Sequence, residues 1–347
     1  MRVVLWGLGA MGRLMARFVL GDPTMRLVGG VSRRAAGTTN PPDLAELTGL
    51  GRPTGVRASA TLGAALERAG GADAVLHATG SFVGDVVPEI EACLDQDLDV
   101  VTIAEEMAYP WARNPDLARR LDGTARSAGR TVLGTGVNPG FIMDTLIVLL
   151  TAGCGRVEHV RARRVNDLSP YGPTVMRTQG VGLSPEEFSR GVEDGTVVGH
   201  IGFPESMHLV ARALGLELTS VEEKREPIVS SVRRETPHVV VEPGYVAGCH
   251  HSARGFVGGR VFIELEHPQQ VRPEAEGVET GDFIEIKGYP DINIRTGPEI
   301  PGGIATAAIA VNVLPHAVAA RPGLLTMLDL PLPRGSAVRS KGAGGDG

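Results

Sequence analysis

The first 34 residues, MRVVLWGLGAMGRLMARFVLGDPTMRLVGGVSRR, leave few folds open to this chain. Arg2 to Trp6 is a short, mostly apolar run with the character of a buried strand. It leads directly into Gly7-Leu8-Gly9-Ala10-Met11-Gly12, a G-x-G-x-x-G. A helical pattern follows (Leu14, Ala16, Phe18, Val19, Leu20), stopped by Gly21-Asp22-Pro23, and a second apolar strand runs from Arg26 to Val31. Strand, glycine turn, helix and strand in this order form a dinucleotide-binding unit. Gly7 makes the tight turn, Gly9 lets backbone approach a pyrophosphate, and Gly12 lets helix and strand pack closely. The helix start offers unpaired N–H groups and a positive dipole end to the phosphates. This full context separates the motif from a glycine-rich turn that binds nothing.

The second strand ends in Val31-Ser32-Arg33-Arg34. A chain selecting NAD(H) usually carries Asp or Glu here for the ribose hydroxyls. A hydroxyl and two guanidinium groups suit a 2′-phosphate instead, because Arg forks match phosphate oxygens. The expectation is NADP(H) preferred, with NAD(H) as the alternative; a solvated basic loop would look the same.

The βα alternation continues. Helices are expected at 43–48, 62–68, 85–94 and 116–128, and strands at 72–78, 98–103 and 130–133. This spacing implies a Rossmann-type, doubly wound parallel sheet. Thr79-Gly80-Ser81 are small residues where a cofactor would cross a strand's carboxyl end, so Thr79 and Gly80 join the cofactor-binding candidates. After the turn Gly134-Thr135-Gly136-Val137-Asn138-Pro139-Gly140 the pattern changes. A helix over 142–150 leads to strands at 157–165, 218–226, 238–248, 258–267 and 282–287, with amphipathic helices at 185–192 and 206–214. That reads as an α+β substrate domain on a largely antiparallel sheet. The domains are therefore set at 1–141 and 142–301. An alanine-rich helix from Gly302, within the segment 302–330, is expected to rejoin the first domain, and 334–347 is read as a disordered tail.

With 347 residues there is enough chain for two cores. A net charge of −6 and the lack of a basic tract argue against nucleic acid as a partner. No run of 18 apolar residues suggests a membrane span, and the immediate N-terminal strand suggests no signal peptide; the expected localisation is cytoplasmic. Cys93, Cys154 and Cys249 have neither disulfide nor metal spacing, so no metal is expected. Cys93 lies on the apolar face of its helix and reads as a core residue.

Glu105-Glu106 follows the 98–103 strand, at the carboxyl edge where a nicotinamide would lie. Adjacent carboxylates on extended backbone point opposite ways, so one would face the chemistry. A carboxylate there suits proton transfer with an amine, or charge stabilisation beside a hydride donor. A solvated acidic pair is the competing reading. His250-His251 is the only adjacent histidine pair and reads as loop. Asn138 is counted with the cofactor-binding candidates; it either bonds a ligand or braces its turn. Phe141, Met143, Tyr171 and Met176 are available walls for a small, largely apolar substrate pocket, or are core.

WGLGAMG, IAEEMAYPW, GTGVNPGFIMD and PGGIATAAIAVN together resemble 2,4-diaminopentanoate dehydrogenases and the related native amine dehydrogenases, which share the architecture of dihydrodipicolinate reductase. The resemblance spans nearly the whole chain. It implies a nicotinamide cofactor, a homodimer, and a glutamate that handles ammonia, carried onto Glu105 or Glu106; Glu105, nearer the strand end, is preferred. The implied reaction is reductive amination of a small ketone, aldehyde or amino-ketone with ammonia, or its reverse. A dihydrodipicolinate reductase-type imine reductase and a non-catalytic NADP(H)-binding sensor are the alternatives. His250-His251-Ser252-Ala253-Arg254 lacks the Lys and the Ser-Gly-Thr loop of that reductase.

Overall fold

A computed structural model describes residues 1–38 and 40–335. The expected disordered tail therefore lies, beyond residue 335, outside the described residues. The described residues divide into two compact units: those within 1–107, 114–136 and 303–335 form the first, and 108–113 with 137–302 form the second.

The first unit begins with β1 (Arg2–Trp6), α1 (Ala10–Gly21) and β2 (Arg26–Val31). It continues with α2 (Leu44–Thr48), β3 (Ala58–Ser59), α3 (Leu62–Ala69), β4 (Ala74–His77) and α4 (Val83–Leu94). Then come β5 (Asp99–Thr102), α5 (Pro115–Ala128) and β6 (Thr131–Gly134). The second unit holds α6 (Thr145–Thr151), β7 (Arg156–Asp167), α7 (Pro173–Thr178), α8 (Pro185–Glu193) and α9 (Phe203–Ala213). Its remaining strands are β8 (Ser220–Val229), β9 (Arg234–Glu235), β10 (Val240–Val241), β11 (Val246–Val257), β12 (Arg260–Gln270), β13 (Gly281–Tyr289) and β14 (Ile292–Thr296). The chain then returns to the first unit through α10 (Gly302–Val318) and β15 (Gly323–Leu325).

Sheet order in the first unit is β15-β6-β5-β4-β1-β2-β3, with every pairing parallel. The order reverses between β1 and β4, the switch point where such sheets bind ligands beyond their carboxyl ends. Ala74–His77, Asp99–Thr102 and Thr131–Gly134 are buried throughout, as strands covered on both faces must be. Met15 and Val19 of α1 and Ala307, Ala310 and Leu314 of α10 share one core with Val3, Leu5 and Leu76. The late helix thus completes the first unit. The strands β3 and β15, two and three residues long, are too short for a periodicity signal.

The second unit's main sheet runs β14-β13-β7-β12-β11-β8, antiparallel except for β7 with β12. Four sequence expectations need correction here. The boundary falls at 136/137 rather than 141/142, because the turn over 137–144 is tied to α6: Gly140 N–H donates to Asp144 Oδ2 at 2.7 Å and the Thr145 hydroxyl to Gly140 O at 2.8 Å. Residues 238–248 are not one strand, since a turn at Pro243-Gly244 (Gly244 φ +87°) separates β10 from β11. His250-His251 lies inside β11, not in a loop. Residues 108–113 belong to the second unit, where Tyr109 stacks on His208 (6.5 Å, 13°) and Arg113 pairs with Glu223 at 2.5 Å.

Candidate active site

In the first unit the glycine turn meets the stated demands in detail. Gly7 has φ +102°, and a Cβ there would stand 2.2 Å from Ala78 O; one at Gly12 would stand 2.0 Å from Gly7 O. Those two glycines are required by the fold. Gly9 is different: a Cβ there meets no protein atom within 4 Å. Gly9 caps α1 without a side-chain hydrogen bond, and the first turn carries no acid. Gly9 and Ala10 are exposed, Met11 half-buried and Leu8 buried at 4 %. The open backbone N–H groups at this helix start fit an anionic pyrophosphate.

At the end of β2, Ser32 caps a 3-10 turn (Arg33–Ala35), its hydroxyl accepting from Arg34 N–H at 3.3 Å. Arg33 and Arg34 are exposed. At the end of β4, the Thr79 hydroxyl donates to Glu89, and His77 Nε2 lies 2.8 Å from the same carboxylate. Burial alone would raise the Glu89 pKa, but hydrogen bonds from His77 and Thr79, with the charges of His77 and Arg33, bring it below its ordinary value. Thr79 and Gly80 are exposed.

Glu105 and Glu106 open a 3-10 turn (Glu105–Ala108) rather than extended backbone, which corrects the sequence argument about their geometry. Their side chains nevertheless have different partners. Phe82 caps α4 without a side-chain hydrogen bond, and Glu106 fills that role: its Oε2 accepts from Val83 N–H at 2.8 Å and from Asn114 Nδ2 at 3.2 Å. Its own N–H donates to Ser81 O at 3.1 Å. Glu106 therefore braces two loops and a helix start. Burial raises the Glu105 pKa, opposed by the Ser81 hydroxyl and the residue's own N–H and reinforced by the Glu106 charge. A carboxyl poised above its ordinary range is what proton exchange near neutral pH requires.

The second unit contains a polar group that the sequence reading missed. Along β7 the buried positions alternate as Val160, Ala162, Arg164 and Asn166, so the apolar stripe ends in two polar residues. Register places Asp282 of β13 opposite Arg164, and the two form a buried ion pair. His251 of β11 lies opposite His267 of β12, both buried. His267 Nε2 is 2.9 Å from Asn166 Oδ1, and its Nδ1 is 3.4 Å from Asn138 Nδ2. The His200 ring packs edge-on to His267 at 4.8 Å. Burial holds His200 at about 3 and His267 well below its usual value, so both are neutral. His251 Nδ1 accepts from His200 N–H at 3.0 Å, and its Nε2 is 3.1 Å from Glu223. Asn138 Oδ1 and His200 Nε2 are buried with no hydrogen-bond partner among the described residues. Such atoms cost roughly 1–3 kcal/mol each unless water or a ligand meets them. Polar residues at inward positions of alternating strands were the signal in the sequence.

Asn138 thus has its side chain within the second unit, against His267, whereas the sequence reading grouped it with the cofactor. Met143 is fully buried, and Met176 is 3 % exposed in a cluster with Leu168, Val241, Ala247 and Val271; both act as core rather than reachable wall. Phe141 is half-buried, as is Tyr171, which packs on the Met176 cluster. Burial raises the Tyr171 pKa. Among the described residues, no cluster of three or more His, Cys, Asp or Glu has metal-holding geometry, and no helix is long and apolar enough to cross a membrane.

The sequence profile described as the 2,4-diaminopentanoate dehydrogenase C-terminal domain matches residues 141–342. The chain is 44% identical over 338 residues to a 2,4-diaminopentanoate dehydrogenase of Acetoanaerobium sticklandii, covering 96% of this chain and 94% of that one. It is 27% identical over 358 residues to an amine dehydrogenase of Streptomyces virginiae, covering 95% and 96%. The solved amine dehydrogenase of Mycobacterium smegmatis superposes with a TM-score of 0.83 at 29% identity, covering 96% of each chain. The dinucleotide turn, the strand-end glutamates and these matches over nearly the full length give one result: the chain belongs to the 2,4-diaminopentanoate dehydrogenase family, oxidoreductases acting on CH–NH2 donors.

Proposed function

We propose that this chain is an NADP(H)-dependent amine dehydrogenase that oxidatively deaminates a small diamino acid of the 2,4-diaminopentanoate kind, and in reverse joins ammonia to the matching carbonyl compound. The observation that carries the reading is the place of Glu105, a partly buried carboxyl that opens the 3-10 turn following β5 of the parallel sheet; burial raises its pKa. The open Gly9 turn and helix start would hold the pyrophosphate. A nicotinamide dinucleotide held there supplies the hydride acceptor. Glu105 takes the proton that the substrate ammonium must lose before its neighbouring C–H bond can be given up as hydride. The overall balance converts R2CH–NH3⁺, NADP⁺ and water into R2C=O, NH4⁺, NADPH and H⁺.

The polar group of the second unit supports a polar substrate. Asn138 Oδ1, an acceptor, and the neutral His200 Nε2, a donor or acceptor according to its tautomer, have no hydrogen-bond partner among the described residues and lie beside Arg164, Asn166 and His267. An apolar ketone would leave them unpaired, whereas an amino acid brings carboxylate and amine groups to meet them. This departs from the apolar pocket expected from the sequence. The test is NADP⁺ reduction with 2,4-diaminopentanoate and with 2-aminobutane as separate substrates, and NADPH oxidation with a cyclic imine. Turnover with the diamino acid at least tenfold above the simple amine is expected. Activity confined to the cyclic imine would favour the imine reductase, and none with any substrate the sensor.

A further inference from the structure

A cavity of about 320 Å³ lies beside the glycine turn, lined by Gly9, Arg13, Arg34, Glu46, Thr48 and Gly49 among others. Arg13 is one helical turn beyond Gly9, its N–H donating to Gly9 O at 3.0 Å. Its guanidinium lies along Gly49: a Cβ there would be 3.3 Å from Arg13 Cζ and 3.4 Å from Nη1. Gly49 ends α2 in the left-handed region, φ +63°, so both its backbone and its lack of a side chain admit the guanidinium. Among the described residues neither Arg13 nor Arg34 forms an ion pair. The carboxylate on the same wall, Glu46, is engaged by Asp43, whose N–H donates to Glu46 Oε1 at 3.0 Å in the capping box of α2. Arg33 differs from both, because it does not line this cavity.

Two arginines converging on a cavity at the edge of a dinucleotide turn suit a dianion carried next to the pyrophosphate. We propose that Arg13 and Arg34, rather than Arg33, seat the 2′-phosphate of the adenosine ribose, with Gly49 leaving room for the Arg13 guanidinium. This rests on the dinucleotide-binding reading above and deepens it: the determinant of NADP(H) choice is split between α1 and the end of β2. Glu46 faces the same space and opposes the anion, so the seat is one net positive charge and depends on both arginines.

Calorimetric titration of the full chain with NADPH, NADH, 2′,5′-ADP, 5′-AMP and inorganic phosphate tests it without turnover. Arg13→Ala and Arg34→Ala should each weaken NADPH and 2′,5′-ADP at least tenfold and change NADH and 5′-AMP less than threefold. Gly49→Ala should lower NADPH affinity in the same selective way, and Arg33→Ala should change the NADPH/NADH ratio less than threefold. Arg13 is exposed, so Arg13→Gln with an unchanged melting curve serves as the folded control. An unchanged NADPH/NADH ratio in Arg13→Ala, a tenfold selective loss in Arg33→Ala, or wild-type binding of phosphate as tight as 2′,5′-ADP would each overturn the assignment. A wild-type chain that bound neither dinucleotide would instead remove the dinucleotide reading itself, and this seat with it.

Discussion

Replacing Glu105 and Glu106 separately by Gln should give opposite results in stability and activity. Glu105→Gln keeps size and hydrogen bonding but removes the proton acceptor. Loss of a positioned acid–base group lowers turnover by about 10²–10⁴, or roughly 3–5 kcal/mol of transition-state stabilisation. Its raised pKa also fixes the sign on stability. Between the ordinary Glu value and the raised folded value, the folded state binds more protons than the unfolded state, so ionisation costs stability as pH rises. Glu105→Gln removes that cost and should melt at or above the wild-type temperature at pH 8. Glu106→Gln exchanges two charge-assisted hydrogen bonds, to Val83 N–H and Asn114 Nδ2, for neutral ones. That loss is on the order of 2 kcal/mol, or roughly 4–8 °C in Tm, with turnover within about tenfold of wild type. Steady-state kinetics across pH 6–10 and scanning calorimetry on both variants read this out. An inactive Glu106→Gln beside an active Glu105→Gln would refute the assignment, and near-normal turnover in both would refute the carboxylate mechanism.

Other expectations follow from the same geometry. Gly9→Ala should change stability by about 1 kcal/mol or less, since its Cβ meets no protein atom, yet weaken NADPH at least tenfold by calorimetry; Gly7→Ala should instead fail in the melting curve, with its Cβ 2.2 Å from Ala78 O. Asp282→Asn leaves Arg164 charged in a site where both partners are 2–3 % exposed, and should cost about 3–5 kcal/mol in urea unfolding. His200 is held near 3, so the unfolded chain binds its proton first; that stability is fully present above pH 6.5 and is lost as pH falls towards 3. His200→Asn should therefore flatten the decline in Tm between pH 6.5 and 4.

The first unit was legible because its signals are local. Hydrophobic strands ended at glycine turns on a regular spacing, and a doubly wound parallel sheet followed from that alternation. The signals that failed were of two kinds. The short strands β3 and β15 have too few residues for any period to show, and they form because their neighbours template them. The polar group of the second unit depends on register between β7, β11, β12 and β13, which places Asn166, His251, His267 and Asp282 near one another from distant parts of the chain. Read singly, His251 resembled a loop histidine. The basic run at 32–34 was recognised, but Arg13 was not, because its meeting with Arg34 across a cavity is not encoded in spacing. Glu105 and Glu106 were singled out together, and only their partners, Ser81 and Val83 N–H, distinguish them.

The central claim is that hydride leaves the carbon bearing the amine. The direct measurement is isotope transfer from 2,4-diaminopentanoate deuterated at the reacting C–H, incubated with NADP⁺ and followed by mass spectrometry of the reduced nicotinamide. One deuterium per NADPH formed, with one equivalent of ammonia released, is the expected result. NADPH formed without deuterium, or labelled without release of ammonia, would contradict it.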